Sequence, residues 1–172
     1  MQSQQATIVR IESLIHQEVG RNIDFLFAAA KGGLSGAASS LAHAPHLSLG
    51  ILTGFYVPKG TPPAAETDGP VGAALLAAGF ARIGVACRLV TDEPCRTACA
   101  AALVGAGVAN TPIDVVPLGG AVDDIVALWR QRGVTHALSI ERCGRSADGA
   151  PRNMRGEDIS TFTTPLDELF GM

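Results

Sequence analysis

The residues best suited to chemistry in this chain lie between positions 141 and 160, directly after an apolar run from Val134 to Ile140. This stretch holds four of the 13 Lys and Arg residues and four of the 16 Asp and Glu residues. Arginine offers forked, permanently charged donors that suit carboxylate or phosphate groups. Carboxylates transfer protons or bind hard cations through oxygen. Positively and negatively charged side chains are interspersed here with Gly144, Gly149 and Gly156, which favours a ligand-binding loop. A solvated loop of ion pairs is the alternative.

Polar and glycine residues also follow two other apolar runs that have the composition of strands. Thr53 and Gly54 occur near the end of the first run, Glu66–Gly69 precede the next helix, and Asp92 follows the second run. Ligands of open parallel α/β sheets bind beyond the carboxyl ends of the strands. We therefore predict one cleft lined by these residues and by the 141–160 segment. Helix capping is an alternative role for Asp68 and Asp92.

These residues are positioned by strands that alternate with helices. The predicted strands are His46–Val57, Val85–Thr91, Ile113–Pro117 and His136–Ile140, and the predicted helices between them are Val71–Ile83, Cys95–Val108 and Val122–Arg132. Three further helices are predicted at Ile8–Val19, Ile23–Ala30 and Ser35–Ala44. This alternation predicts an α/β fold, a Rossmann-like three-layer sandwich with a mostly parallel sheet and an N-terminal helical segment.

Composition excludes several classes of protein. The net charge of -3 and the two lysines give no basic patch for nucleic acid. No apolar run is long enough for a membrane helix, and the N-terminus lacks the pattern of a signal peptide, so we expect a cytoplasmic protein. Apolar residues make up 47% of the chain and aromatic residues 5%. This excess of small apolar residues favours a homo-oligomer, in which a partner covers part of the surface.

Several familiar catalytic and cofactor motifs are missing. No G-x-G-x-x-G sequence follows the first strand, which disfavours NAD-type binding. The glycines at 32–36 are followed by no Gly-Lys-Ser/Thr, so we interpret them as a helix-breaking turn. His43, His46 and His136 flank the starts of strands, the wrong edge for a catalytic triad. The four cysteines are predicted to be reduced thiols.

Five blocks in the same order resemble the D-glutamate cyclase family, specifically its C-terminal-type domain. They are Thr53–Phe55, Glu66–Ala73, Leu89–Glu93, Ile140–Arg145 and Asn153–Ile159. The resemblance covers nearly the whole chain, from about Ile8 to Phe170. It implies a lyase-type conversion of D-glutamate to 5-oxo-D-proline with loss of water.

Such a cyclisation needs an unprotonated α-amine held against the side-chain carboxylate, a clamp for the α-carboxylate and a route to expel an oxygen as water. The chemistry and placement of the residues suggest two groups of candidates. The candidate catalytic residues, as acid/base groups or as ligands of a cation, are Glu66, Asp68, Asp92 and Glu141. The candidate residues for binding an acidic small-molecule substrate are Thr53, Gly54, Gly69, Arg142, Arg145, Asn153 and Arg155. No metal ligand is assigned, and a divalent cation, Mg²⁺ or Ca²⁺, remains an open cofactor.

The chain departs from the family pattern in two places. Position 143 is Cys where relatives more often have Pro. Longer relatives continue past the Pro165–Phe170 block into a Gly/Asp-rich segment of the type G-D-G-G-N-E. We therefore expect the single domain over residues 1–172 to be incomplete at its C-terminal end, with a complementary C-terminal fragment or a second subunit as its partner. A non-catalytic binding module and a divalent-metal-dependent hydrolase are the alternative functions.

Overall fold

The computed structural model describes residues 2–20 and 23–171. Met172, on which the expectation of a missing C-terminal segment depends, lies outside these residues. The described chain divides into two compact units, residues 1–45 and residues 46–172. No helix within the described residues is long and apolar enough to cross a membrane.

The predicted alternation of strands and helices is present in the structure. The helices are α1 (Gln2–Ile15), α2 (Asp24–Ala30), α3 (Gly33–His43), α4 (Asp68–Ala81), α5 (Arg96–Gly105) and α6 (Asp123–Gln131). The strands are β1 (Ser48–Thr53), β2 (Tyr56–Val57), β3 (Ala64–Ala65), β4 (Ala86–Asp92), β5 (Ile113–Val116) and β6 (His136–Ile140). Short 3-10 helices cover Glu93–Cys95 and Leu166–Gly171.

The N-terminal unit contains α1, α2 and α3. The Glu12 carboxylate accepts the backbone N–H groups of Gly32, at 2.9 Å, and of Leu34, at 3.0 Å. These two N–H groups lie at the start of α3, where the first turn leaves backbone donors without helical partners. The hydrogen bond from Gly32, followed by that from Leu34, lowers the pKa of Glu12. A side chain from α1 therefore caps α3.

The second unit is built on a four-stranded sheet with the order β5-β4-β1-β6. All three neighbouring pairs in this sheet are parallel. Helices α4 and α5 pack against one another and against β4. Trp129 of α6 packs in a core with Leu52 of β1 and Val90 of β4. The α/β fold with a parallel sheet flanked by helices, as expected of a Rossmann-like sandwich, is thus confirmed.

The predicted strand His46–Val57 is wrong at its end. β1 ends at Thr53, because Gly54 has a φ of 105° and turns the chain out of the extended conformation. Tyr56 and Val57 form the separate strand β2, which pairs antiparallel with β3. The chain thereby leaves the carboxyl edge of the main sheet directly after Thr53.

We expect Gly50→Ala to destabilise the fold by about 1–3 kcal/mol, as overpacking of a close-packed core does. A Cβ added at Gly50 would lie 2.2 Å from ring atoms of Trp129, so the ring must move. The midpoint of denaturant unfolding measures this loss. Gly79→Ala in α4 is the matched control, because a Cβ there meets nothing within 4 Å. Alanine at this helical position is expected to stabilise by about 0.5–1 kcal/mol; equal effects at both glycines would contradict the packing.

Candidate active site

The carboxyl ends of β1 and β6 form the topological switch point of the sheet. From β1 the chain moves to β4 and β5 on one side, and then returns to β6 on the other side of β1. Thr53 and Ile140 are register partners at the ends of these two strands. Open α/β sheets bind their ligands at such a point, because the connecting segments diverge there and leave a crevice.

Three of the predicted site residues meet at this switch point. A Cβ added at Gly69, in the first turn of α4, would lie 2.8 Å from both the Cβ of Glu141 and the Oγ1 of Thr53. Only glycine fits here without displacing one of them. Because Gly69 has no side chain, the start of α4 can approach the ends of β1 and β6 closely.

Three carboxylates, Glu66, Asp68 and Glu141, interact at the same place. All three residues are exposed. Partial desolvation raises the pKa of Glu66, and the negative charges of Asp68 and Glu141 raise it further. The Glu66 backbone is held by its N–H, which donates to the carbonyl of Phe55 at 2.8 Å. A carboxyl group whose pKa is raised keeps its proton to a higher pH than an ordinary carboxyl group, which makes it a candidate proton donor. We call Glu66, Asp68 and Glu141 the acid cluster.

The hydroxyl group of Thr53 lies beside this cluster with its hydrogen-bonding capacity unused. The Thr53 residue is fully buried, and its Oγ1 has no hydrogen-bond partner within the described residues. A buried polar atom without a partner carries a free-energy cost, and native proteins usually satisfy such an atom with water or a ligand. The substrate-binding role of Thr53 stays a prediction, and its unpartnered hydroxyl group is the observation that bears on it.

Glu141 has an unusual backbone conformation directly after β6. Its φ is 46°, in the left-handed region that side chains other than glycine, Asn and Asp rarely occupy. Strained residues of this kind cluster at functional sites, where the surrounding structure holds them in place. The left-handed turn allows the Glu141 Cβ to approach Gly69.

Arg142 and Asp92 form a buried ion pair behind the acid cluster. Their side chains are 2% and 1% exposed, and Arg142 Nη2 lies 2.7 Å from Asp92 Oδ2. The guanidinium also donates to the carbonyls of Gly54, at 3.0 Å, and Thr164, at 2.6 Å. Arg142 Nε and Asp92 Oδ1 have no partner among the described residues. The substrate-clamp role of Arg142 and the acid–base role of Asp92 stay predictions.

Gly54 belongs to the packing around this ion pair. A Cβ at Gly54 would lie 2.6 Å from the Thr91 hydroxyl and 2.7 Å from the Cys95 Cβ. Glycine is therefore required both by this contact and by the positive φ of the residue. Burial, followed by the charge of Asp92, raises the pKa of the Cys95 thiol to about 12. The Cys95 thiol is thus neutral at physiological pH.

The remaining predicted residues form hydrogen bonds within the loop and with the C-terminal 3-10 helix. Arg145 pairs with Asp167 at 3.0 Å and with Glu168 at 2.7 Å. Asn153 Oδ1 accepts the backbone N–H of Arg155 at 2.9 Å, which closes a turn. Within residues 2–20 and 23–171, none of the hydrogen bonds or ion pairs of Arg145, Asn153 and Arg155 reaches the acid cluster. Their substrate-binding roles stay predictions.

Sequence reasoning missed Thr164, whose backbone carbonyl accepts from Arg142 and whose N–H lies 3.3 Å from Asp92 Oδ2. The only signal was local: two β-branched residues before Pro165 favour extended backbone. Nothing in the sequence links this segment to the end of β4, 72 residues earlier. The contact depends on tertiary structure.

No three His, Cys, Asp or Glu side chains in the described part of the chain are arranged to hold a metal ion. The divalent cation therefore stays a prediction. A groove of about 560 Å³ lies at the opposite, amino-terminal edge of the sheet and includes Cys87, Arg88 and Arg132 in its lining. Arg88 is already paired with Asp114 at 2.6 Å. We place the candidate site at the carboxyl edge, where the topology and the acid cluster coincide.

We expect Glu66→Gln to stabilise the protein at neutral pH. Because the folded-state pKa of Glu66 is raised above 4.5, ionisation favours the unfolded chain. The protonated form of Glu66 contributes its full stability below the pKa of this residue in the unfolded chain. That contribution is lost as pH rises through the pKa of Glu66 in the folded protein, whereas glutamine does not titrate. Melting temperatures of both proteins from acid to neutral pH should therefore converge at the acid end and diverge at neutral pH.

Glu157→Gln is the control, and its effect on stability at neutral pH should have the opposite sign. Hydrogen bonds from Lys59 and Asn153 lower the pKa of Glu157, so its ionised form stabilises the fold above the unfolded pKa. The glutamine variant should be less stable than the unchanged protein at neutral pH, and the difference should shrink as pH falls. A Glu66→Gln protein that melts lower at neutral pH would contradict the proposed environment of Glu66.

Two comparisons with known proteins identify the family of this chain. A family model described as D-glutamate cyclase-like, C-terminal, matches residues 11–172. The human protein D-glutamate cyclase, mitochondrial, is 33% identical over 174 residues, which cover 95% of this chain and 28% of the human protein. The chain thus spans less than a third of the length of that relative. On these matches, the chain belongs to the D-glutamate cyclase-like family, in its C-terminal part.

Proposed function

We propose that this chain carries the site at which D-glutamate cyclises to 5-oxo-D-proline and water. The observation that carries the proposal is the acid cluster at the switch point, beside the unpartnered Thr53 hydroxyl. Family membership supplies the substrate, since the human relative is named a D-glutamate cyclase. That name describes a protein of which this chain covers 28%, so the activity is proposed here and not transferred.

The proton balance of the reaction suits a pair of carboxyl groups. The amine nitrogen forms a bond to the side-chain carboxyl carbon, and one carboxyl oxygen leaves as water. The ammonium group loses two protons on becoming a lactam N–H, and the departing oxygen needs two protons to become water. Protons are therefore relayed without net gain or loss. The site has to accept each proton near the nitrogen and deliver it near the oxygen.

We assign the two ends of this relay to Glu141 and Glu66. Glu141 is the base that takes two protons from the nitrogen, one before and one after the C–N bond forms, and passes each to Glu66. Glu66 is the acid that protonates the leaving oxygen, because its raised pKa keeps a proton available at higher pH than an ordinary glutamate does. The negative charge of the whole acid cluster attracts the ammonium group of the substrate.

The Thr53 hydroxyl and the crevice orient the substrate. Thr53 Oγ1 donates to a carboxylate oxygen of the bound glutamate and thereby gains the partner it lacks. Holding the amine against the side-chain carboxyl group turns cyclisation into a positioned step, and positioning of this kind accounts for a large share of rate enhancement in ring closures. A non-catalytic module that binds D-glutamate through the same groups is the second candidate, since Arg142 is already bound to protein acceptors.

The test is turnover of D-glutamate by the purified chain, followed by chiral chromatography of 5-oxo-D-proline. Glu141→Gln and Glu66→Gln should each lower kcat by about 10²–10⁴-fold, the usual contribution of a general acid or base. Glu93→Gln is the matched control: Glu93 begins the 3-10 helix after β4, is exposed, and should keep the rate unchanged.

Three outcomes separate the candidates. Turnover that depends on both glutamates and is absent with L-glutamate supports the cyclase site. Stabilisation by D-glutamate without turnover supports the binding module. Full activity of the Glu141→Gln protein would sink the relay, whatever the behaviour of the control.

A further inference from the structure

Arg142, which forms a buried ion pair with Asp92, directly follows the proposed base Glu141 in the sequence. We infer that Arg142 and Asp92 are positioning residues, which hold the Glu141 backbone in its left-handed conformation and so aim its carboxylate at the acid cluster. The catalytic consequence of this inference rests on the proposed function, whereas its structural part does not.

The backbone conformation of Glu141 carries a free-energy cost. A φ of 46° at a glutamate places its Cβ close to a neighbouring carbonyl oxygen, at a cost that the rest of the fold has to offset. Such a residue persists only where the chain on both sides of it is fixed. Residues 140 and 142 must therefore both be held in place.

On the N-terminal side, the chain is fixed by the sheet. Ile140 is the last residue of β6, and its register partner is Thr53 of β1. Gly69 packs against this strand end as well, since a Cβ built there would lie 3.3 Å from the Ile140 carbonyl oxygen. Residue 141 thus starts from a rigid point.

On the C-terminal side, the chain is fixed by the Arg142 side chain. Its guanidinium has three acceptors from three different segments: the Gly54 carbonyl after β1, the Asp92 carboxylate at the end of β4, and the Thr164 carbonyl near the C-terminus. A side chain that is 2% exposed and bound in three directions leaves its own Cα little freedom. Residue 141 must bridge two fixed points, and the left-handed turn is the conformation that it adopts.

Asp92 makes this fixation possible. Two backbone carbonyls alone do not neutralise a buried guanidinium, and an unpaired buried charge is strongly destabilising. The carboxylate at 2.7 Å supplies the counter-charge, and its own burial at 1% exposure leaves it out of direct contact with solvent. Asp92 therefore acts through Arg142 and takes no part in the proton relay.

A double-mutant cycle tests the structural part. Glu141→Gly removes the cost of a left-handed side chain, so it should raise the melting temperature more in the unchanged protein than in an Asp92→Asn background, where the constraint on residue 142 is weakened. His46→Gly is the matched control: among the described residues, His46 is the other non-glycine with a positive φ, 56°, and it lies before the amino end of β1. The change in melting temperature caused by His46→Gly should be equal in both backgrounds.

Equal shifts for Glu141→Gly in the two backgrounds would overturn the inference. If the Asp92→Asn protein does not fold, Arg142→Lys replaces it as the background. Lysine keeps the charge but lacks the fork that reaches three acceptors.

Kinetics test the catalytic consequence. Arg142→Lys should lower kcat by about 10- to 100-fold, the effect of a displacement of about 1 Å in a catalytic group, and leave KM for D-glutamate within about threefold. Arg152→Lys is the matched control, because Arg152 pairs with Asp148 on the exposed side of the loop. A large rise in KM at constant kcat would instead identify Arg142 as the substrate clamp and overturn the positioning role. If the unchanged protein shows no turnover, the proposed function fails, and the double-mutant cycle alone decides the inference.

Discussion

The carboxyl edge of the sheet depends on the buried ion pair between Arg142 and Asp92. Moving both charges out of water carries a free-energy cost that only well-placed partners offset. Arg142 meets this requirement by binding Asp92 and the carbonyls of Gly54 and Thr164, so segments far apart in sequence are joined at one point. The acid cluster and the Thr53 hydroxyl lie at the same edge, where the segments that follow β1 and β6 separate.

Much of the fold could be predicted from the sequence because its signals are local. The apolar run His136–Ile140 coincides with β6, and the Ala/Leu-rich stretch after Pro70 lies in α4. The prediction for the first strand ran past Thr53, because apolar composition continues to Val57 although Gly54 adopts a positive φ. Backbone conformation at one glycine decided that boundary, and composition does not report it. The strand order also requires long-range pairing, which no local pattern contains.

Only part of the candidate site could be predicted from the sequence. The location of Thr53, Glu66, Asp68, Gly69 and Glu141 at one edge could be predicted because strand ends and a helix start are visible in the sequence, and these ends share one edge of a parallel sheet. The ion pair could not be predicted, since Arg142 follows β6 and Asp92 ends β4, and β1 lies between these strands in the sheet. The arginines at 145 and 155 shared the same charge cluster as Arg142, yet their contacts lie elsewhere. Charge type alone did not separate them.

The central claim is that the ligand binds at the carboxyl edge, between the ends of β1 and β6. The most direct measurement is a titration of the isotope-labelled protein with D-glutamate, followed by amide NMR. The account predicts that the largest shift changes occur around Thr53, Gly69 and Glu141, with L-glutamate producing much smaller ones. Changes concentrated instead at the amino-edge groove, around Cys87 and Arg132, would contradict it.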